Sequence, residues 1–267
     1  MKAKLKAIEG SIVAPQGFLA SGVFCDTKRL GTGKGSQKGR KRDLALIVSE
    51  VPATVAGMFT TNQVCAAPVK VCAERVRGGW AQAIVINSGN ANACTGQQGM
   101  KDARAMTALL AKTLHMPEQQ VLVGSTGRIG VTMPMPNVKS GILNALQMLG
   151  NAAARATEAA EAIMTSDTKP KQLAVEFKLG GKSVRIGGIC KGAGMIQPGM
   201  STTGQRPAAL PRGLHATMLC FITTDVAIEA KVLAVATGGA TLKVLAGHQP
   251  DWAVATLHDV SGETLCA

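Results

Sequence analysis

Residues 82–96 read QAIVINSGNANACTG. The first six form an apolar run of the length and character of a buried strand. From Asn87 onward the composition turns to Asn, Ser, Gly and Thr, which is loop chemistry. Residues 102–115 then place Ala103, Met106, Leu110 and Leu114 three to four positions apart, the stripe of an amphipathic helix. Residues 120–123 return to strand character and run into Gly124-Ser125-Thr126-Gly127. Strand, polar loop, helix and strand follow one another here, and the same alternation continues on both sides.

Upstream, residues 43–49 (DLALIVS) predict another buried strand, and residues 52–62 and 67–72 predict further extended segments rich in Val and Thr. Downstream, residues 138–149 and 152–164 predict helices. Residues 173–189 alternate about Gly180-Gly181, a pair suited to a two-residue hairpin turn. Residues 216–224 (ATMLCFITT) read as an apolar strand. This interleaving predicts an α/β or α+β fold around a mixed sheet. No internal repeat is present.

The 267 residues suffice to bury a substantial core. Hydrophobic residues at 46% against 17% charged exclude a disordered chain. With aromatics at 3% and no Tyr, that core must be built from Ala, Val, Ile, Leu and Met. No stretch approaches the roughly 20 apolar residues of a membrane span, and residues 1–10 lack the apolar centre of a secretory signal. The seven cysteines form no CxxC pair, so buried thiols in a reducing cytoplasm are expected. The four His lie far apart and no HExxH occurs, so no metal site is expected.

A net charge of +13 points to acidic partners, whether nucleic acid, anionic membrane or carboxylate metabolites. Lys28, Arg29, Lys34, Lys38, Arg40, Lys41 and Arg42 crowd one Gly-rich stretch, which reads as a solvated loop. It lacks the aromatic platforms of single-strand binders, so a basic nucleic-acid-binding module is the weaker alternative. It is not a P-loop either, because Gly33-Lys34 is followed by Gly35 where Ser or Thr would be needed.

Three polar loops at strand ends are candidates for chemistry: residues 87–96, 124–130 (GSTGRIG) and 190–198 (CKGAGMIQP). Glycines let backbone N–H groups approach an oxyanion. Thr126 adds a hydroxyl beside Gly127, Lys191 a cation suited to a carboxylate, and Thr217 a hydroxyl at the start of a strand. A threonine nucleophile needs a base, and His215 is not convincingly placed. Cleavage before Thr217 would free an α-amine able to deprotonate its own side chain.

Ordered words decide between these parts and ordinary turn composition. APQGF (14–18), KRDLALIV (41–48), GMFTTN (57–62), AIVINSGNANACTG (83–96), VGSTGRIG (123–130), EAIMTSDTKPK (161–171), GGICKGAGMIQP (187–198) and ATMLCFITTD (216–225) occur in this order. From Ala14 to about Ile228 the chain resembles the ornithine acetyltransferase (glutamate N-acetyltransferase) family of arginine biosynthesis. The resemblance implies transfer of an acetyl group from N-acetylornithine to glutamate, with acetyl-CoA as a possible co-substrate and no other cofactor. It implies self-cleavage at Ala216-Thr217, with Thr217 as nucleophile and acetyl carrier, and Thr126 and Gly127 as the oxyanion hole. The resemblance also implies that Lys191 and a threonine of the IMTSDT word bind substrate; Thr165 is favoured and Thr168 remains open.

The family fold is a layered, mixed-sheet α/β structure in which both pieces share a core. That implies an alpha-chain-like region over 1–216, a beta-chain-like remnant over 217–267, and a heterotetramer of two alpha and two beta chains, with neither nucleic acid nor membrane as partner. Two departures follow. Thr202 keeps the family spacing from Lys191, whereas Thr217 keeps the family's downstream context, with residues 201–214 as an apparent insertion. After about Ile228 the words stop, so a catalytically inactive, truncated relative is the alternative expectation.

Overall fold

The computed structural model describes residues 4–31, 41–60, 64–192, 200–201, 218–230, 232–233, 244–247 and 253–257. The strands are β1 (Lys6–Ile8), β2 (Phe18–Val23), β3 (Leu44–Val55), β4 (Gly57–Thr60), β5 (Trp80–Asn90), β6 (Val121–Arg128), β7 (Lys171–Leu179), β8 (Lys182–Lys191), β9 (Met200–Ser201), β10 (Leu219–Thr224), β11 (Val244–Gly247) and β12 (Ala253–Leu257). The helices are α1 (Thr27–Gly31), α2 (Ala67–Arg75), α3 (Gly96–Thr113), α4 (Met135–Gln147) and α5 (Ala153–Ala162). The strands order as β1-β7-β8-β10-β11-β12-β3-β5-β6. β5 and β6 run parallel, while β3–β5, β7–β8 and β8–β10 run antiparallel, so the sheet is mixed as expected.

The stretch that opened the sequence analysis is the spine of this layer. Residues 83–88 of β5 are buried without interruption, which requires cover on both faces of the strand. In α3 the buried positions Gly99, Ala103, Met106, Leu110 and Ala111 form one stripe, and the helix packs on β5 and β6. In α5 the buried positions are Ala156, Ala159, Ala160 and Ala162, small enough for close approach to β2. Gly22 of β2 meets the Glu158 backbone at a point where any Cβ would overlap it. The core is aliphatic: Phe18, Phe59 and Phe221 are its fully buried rings among Leu, Ile, Val and Ala.

Three expectations are corrected. Residues 67–72 are the first turns of α2 and not an extended segment. Pro68 sits in its first turn, where a missing N–H costs nothing, and Val71 and Cys72 share its buried face. Second, residues 124–128 continue β6 rather than forming a loop after it; each of residues 124–127 has a Cα partner in β5. Third, the described cations of the basic stretch are largely engaged. Lys28 Nζ donates to the Arg42 carbonyl at 2.6 Å and to the Glu161 carbonyl at 3.4 Å. Arg42 pairs with Glu158 at 3.0 Å and Glu161 at 2.7 Å, and Arg29 pairs with Asp26. Lys34, Lys38 and Arg40 lie outside the described residues.

Buried Asp43 ties the two sides of that stretch together. Its carboxylate accepts from the Cys25 N–H at 2.6 Å and the Lys28 N–H at 2.9 Å, and its own N–H donates to the Val23 carbonyl at 2.9 Å. The hairpin is as predicted: Leu179 pairs with Lys182 across Gly180 (φ 56°) and Gly181 (φ 80°). Both signs are positive, as a type I′ turn requires.

Candidate functional site

The first of the three polar loops proves to be scaffold. Asn87, Ser88, Asn90 and Asn92 are all buried, and their side chains bind neighbouring backbone or side chains. Ser125 Oγ donates to Asn87 Oδ1 at 2.6 Å, and Asn87 Nδ2 donates to the Asn90 carbonyl at 2.9 Å. Asn90 Nδ2 reaches the Val131 and Thr132 carbonyls, and its Oδ1 accepts from the Asn92 N–H at 2.8 Å. Ser88 Oγ donates to the Ala162 carbonyl at the end of α5. Buried amides with their bonds made fix a backbone path; this set fixes the C-terminal ends of β5 and β6.

At that end lie Thr126 and Gly127. Thr126 is 3% exposed, whereas Gly127 opens to solvent. Gly127 has φ +133°, a region L side chains rarely adopt, and an added Cβ would run into the backbone of Gly89 and Asn90. Gly89 itself (φ +103°) abuts the backbone of Lys28, where an added Cβ would stand 2.6 Å from the Lys28 nitrogen. Both glycines are therefore demanded by close backbone approach, across the paired positions 89 and 127.

The second element is the end of β8. Lys191 is 5% exposed, and its Nζ lies 3.1 Å from Thr126 Oγ1. An ammonium only donates, so Thr126 Oγ1 accepts, and the threonine's own proton is left to point elsewhere. Two of the predicted residues thus form one unit: a lysine orients a hydroxyl donor at the lip of a strand. Burial pushes the Lys191 amine below its ordinary value; the nearby Asp167 carboxylate opposes this, and Lys171 adds to it.

Thr165 and Thr168 occupy the segment between α5 and β7, and both are exposed. The Thr165 N–H donates to Asp167 Oδ2 at 3.2 Å, and the Gly192 N–H donates to Asp167 Oδ1 at 2.8 Å. Asp167 thereby joins the threonine segment to the residue following Lys191. Lys171 pairs with Asp167 and donates from Nζ to the Gly192 carbonyl at 2.9 Å. Burial would raise the Asp167 carboxyl, but the bonds from Lys171, Gly192 and Thr165 outweigh it and hold the group below its ordinary value.

Ala216, Thr217 and the alternative Thr202 lie outside the described residues. Leu219, two residues after Thr217, is the Cα partner of Lys191 in the β8–β10 pairing. Asp167 and Lys171 were not singled out from the sequence, although both stand in the word EAIMTSDTKPK four residues apart. A cleft of about 530 Å³ lined by Gln98, Lys101, Asp102, Thr132 and Lys139, among others, contains none of the predicted site residues.

Fold and site together define a layered α/β protein whose strand ends present a lysine-oriented threonine hydroxyl beside an exposed glycine. Comparison with known proteins places that class. The ArgJ family profile matches residues 29–243, and the chain belongs to the ArgJ family. The match continues beyond Ile228, where the recognisable words end. A relative from Symbiobacterium thermophilum, "Arginine biosynthesis bifunctional protein ArgJ", is 45% identical over 226 residues, covering 85% of this chain and 50% of the relative. "Glutamate N-acetyltransferase" of Methanocaldococcus jannaschii is 44% identical over 232 residues, covering 86% and 50%. The chain thus spans about half the length of the curated relatives it matches.

Two solved structures share the architecture. The arginine biosynthesis bifunctional protein ArgJ of Bacillus halodurans superposes with a TM-score of 0.69 at 39% identity, over 75% of this chain and 100% of that one. Ornithine acetyltransferase of Mycobacterium tuberculosis, solved in complex with ornithine, gives 0.66 at 35% identity, over 74% and 100%.

Proposed function

We propose that this chain carries the acyl-transfer site of a glutamate N-acetyltransferase acting in arginine biosynthesis in the cytoplasm. The Thr217 hydroxyl attacks the Ala216 carbonyl, the peptide bond is replaced by an ester, and water releases Ala216 as a carboxylate. This divides the chain into regions 1–216 and 217–267 and leaves Thr217 with a free amine. That amine takes the hydroxyl proton as the oxygen attacks the acetyl carbonyl of N-acetylornithine. Ornithine leaves with a proton, and the glutamate amine then removes the acetyl group from Thr217. Acetyl-CoA serves as an alternative donor by the same route. Thr126 and Gly127 stabilise the oxyanion in each step, a contribution of about 3 kcal/mol per donor. Lys191 and Thr165, or Thr168 in its place, hold the substrate. The cleaved pieces stay together through shared strands and assemble as two alpha and two beta chains.

The observation that carries this reading is the 3.1 Å contact between Lys191 Nζ and Thr126 Oγ1, on the strand end whose β10 partner begins two residues after Thr217. The intact mass of the purified protein tests it. Two fragments divided before Thr217, with the C-terminal one gaining an acetyl group on incubation with N-acetylornithine, are expected. The Thr217→Ala protein should stay whole. Cleavage that persists in Thr217→Ala and stops in Thr202→Ala would move the nucleophile to Thr202; acetyl transfer by an uncut chain would end the proposal.

A further inference from the structure

We propose that Asp167 is a positioning residue for this site, the buried countercharge that keeps the Lys191 ammonium donating to Thr126. The catalytic consequence rests on the acyl-transfer reading above; the electrostatic one does not. The geometry is specific. The Asp167 side chain is only 1% exposed, yet it is bonded to three groups from two segments: Thr165 N–H, Gly192 N–H and Lys171 Nζ, which hold its carboxyl below the ordinary value. Lys171 closes the loop by donating to the Gly192 carbonyl, so both polar groups of the Gly192 backbone are anchored. Gly192 follows Lys191 directly. Fixing it sets where the Lys191 side chain leaves β8.

The charge matters because of what Thr126 must do. A protonated Lys191 leaves Thr126 Oγ1 no role toward it but acceptor, so the threonine proton is kept available for the oxyanion of the proposed reaction. A neutral Lys191 accepts as readily as it donates, and the hydroxyl then has an alternative orientation. Burial favours the neutral amine, as does the charge of Lys171 on neighbouring β7. Asp167 is the group that opposes both. Among the described residues, the hydrogen-bond partner of Lys191, Thr126 on β6, and its strand partner, Leu219 on β10, are uncharged. Lys28 on α1 feels the same Asp167 carboxylate.

The test follows the Lys191 titration directly, by NMR of the side-chain carbons in protein carrying ¹³C-lysine, with Lys191→Arg to assign the resonance. Asp167→Asn should shift the Lys191 midpoint down. Lys171→Met should shift it up, because a like charge is removed while Asp167 remains. A merely structural role predicts no such opposition of sign. An unmoved midpoint in folded Asp167→Asn, or an unmoved or lowered midpoint in Lys171→Met, overturns the proposal. Should Asp167→Asn not fold, the Lys171→Met result decides. In acetyl transfer, the alkaline limb of the rate profile should move to lower pH in Asp167→Asn and return in Asp167→Glu. If the titrations shift as stated but the wild-type protein transfers no acetyl group, the acyl-transfer reading fails and the countercharge role stands.

Discussion

The ends of β6 and β8 meet at one hydrogen bond but are held by different physics. The β6 end is fixed by contact: Gly127 and Gly89 let two backbones touch, and buried amides around them satisfy one another. The β8 end is fixed by charge: Lys191 and Lys171 share the field of one buried carboxylate. Contact gives a backbone path whose place is insensitive to pH and salt. Charge gives a group whose state can be tuned, at the cost of depending on every neighbour that titrates. The acyl-transfer site proposed above, with a fixed oxyanion hole and an adjustable cation, would draw on both.

The sharpest break in this comparison is on the contact side. Gly127→Ala combines a positive φ with backbone overlap, so a loss of about 3 kcal/mol or more in urea-unfolding free energy is expected; a loss below about 1 kcal/mol would mean that the strand end yields easily. Thr126→Val probes the junction. It removes the acceptor of Lys191 and the hydroxyl donor together, so acetyl transfer should fall by about 10²- to 10³-fold while stability falls by only about 1–2 kcal/mol. A rate within tenfold of wild type would remove Thr126 from the oxyanion hole.

The smallest effect reads a titrating charge that lies behind the contact side. Lys28, behind Gly89, is pushed down by burial to about 8, against the pull of Asp43. Cys25 is pushed up by burial to about 12, with Asp43 adding to the shift. Between pH 8 and 9 the unfolded chain keeps a lysine proton that the folded chain has lost, so stability rises with pH. Above 9 the unfolded chain loses a thiol proton that the folded chain keeps, and the two effects cancel up to the ordinary lysine value of 10.5. A rise of about 1 kcal/mol over that single unit is expected for the wild type and none for Lys28→Met, read from urea midpoints. A rise that survives the substitution would assign it to another group.

The layered fold was legible wherever local pattern and tertiary demand agreed. The apolar run at 82–87, the stripe of α3 and the Gly180-Gly181 turn each need no distant partner to be recognised. Residues 67–72 misled because Val and Cys suit a strand. What makes them helical is the packing of α2 on β6, where Cys72 Sγ contacts the Val123 carbonyl at 3.1 Å. The polar run at 87–92 looked like a binding loop because burial of its amides depends on partners at 125, 131 and 162. Thr126, Gly127 and Lys191 came from ordered words, and the structure brings Lys191 onto Thr126. Asp167 stayed hidden because its function lies in bonds to residues 165, 171 and 192, which no spacing announces.

The Asp43 clasp has a practical corollary. With the Cys25 and Lys28 amides bound to one carboxylate, and Arg42 pinned to α5, the polypeptide on either side of residues 32–40 is secured independently of what lies between. Splicing a guest peptide between Gly31 and Lys41 should leave the sheet undisturbed.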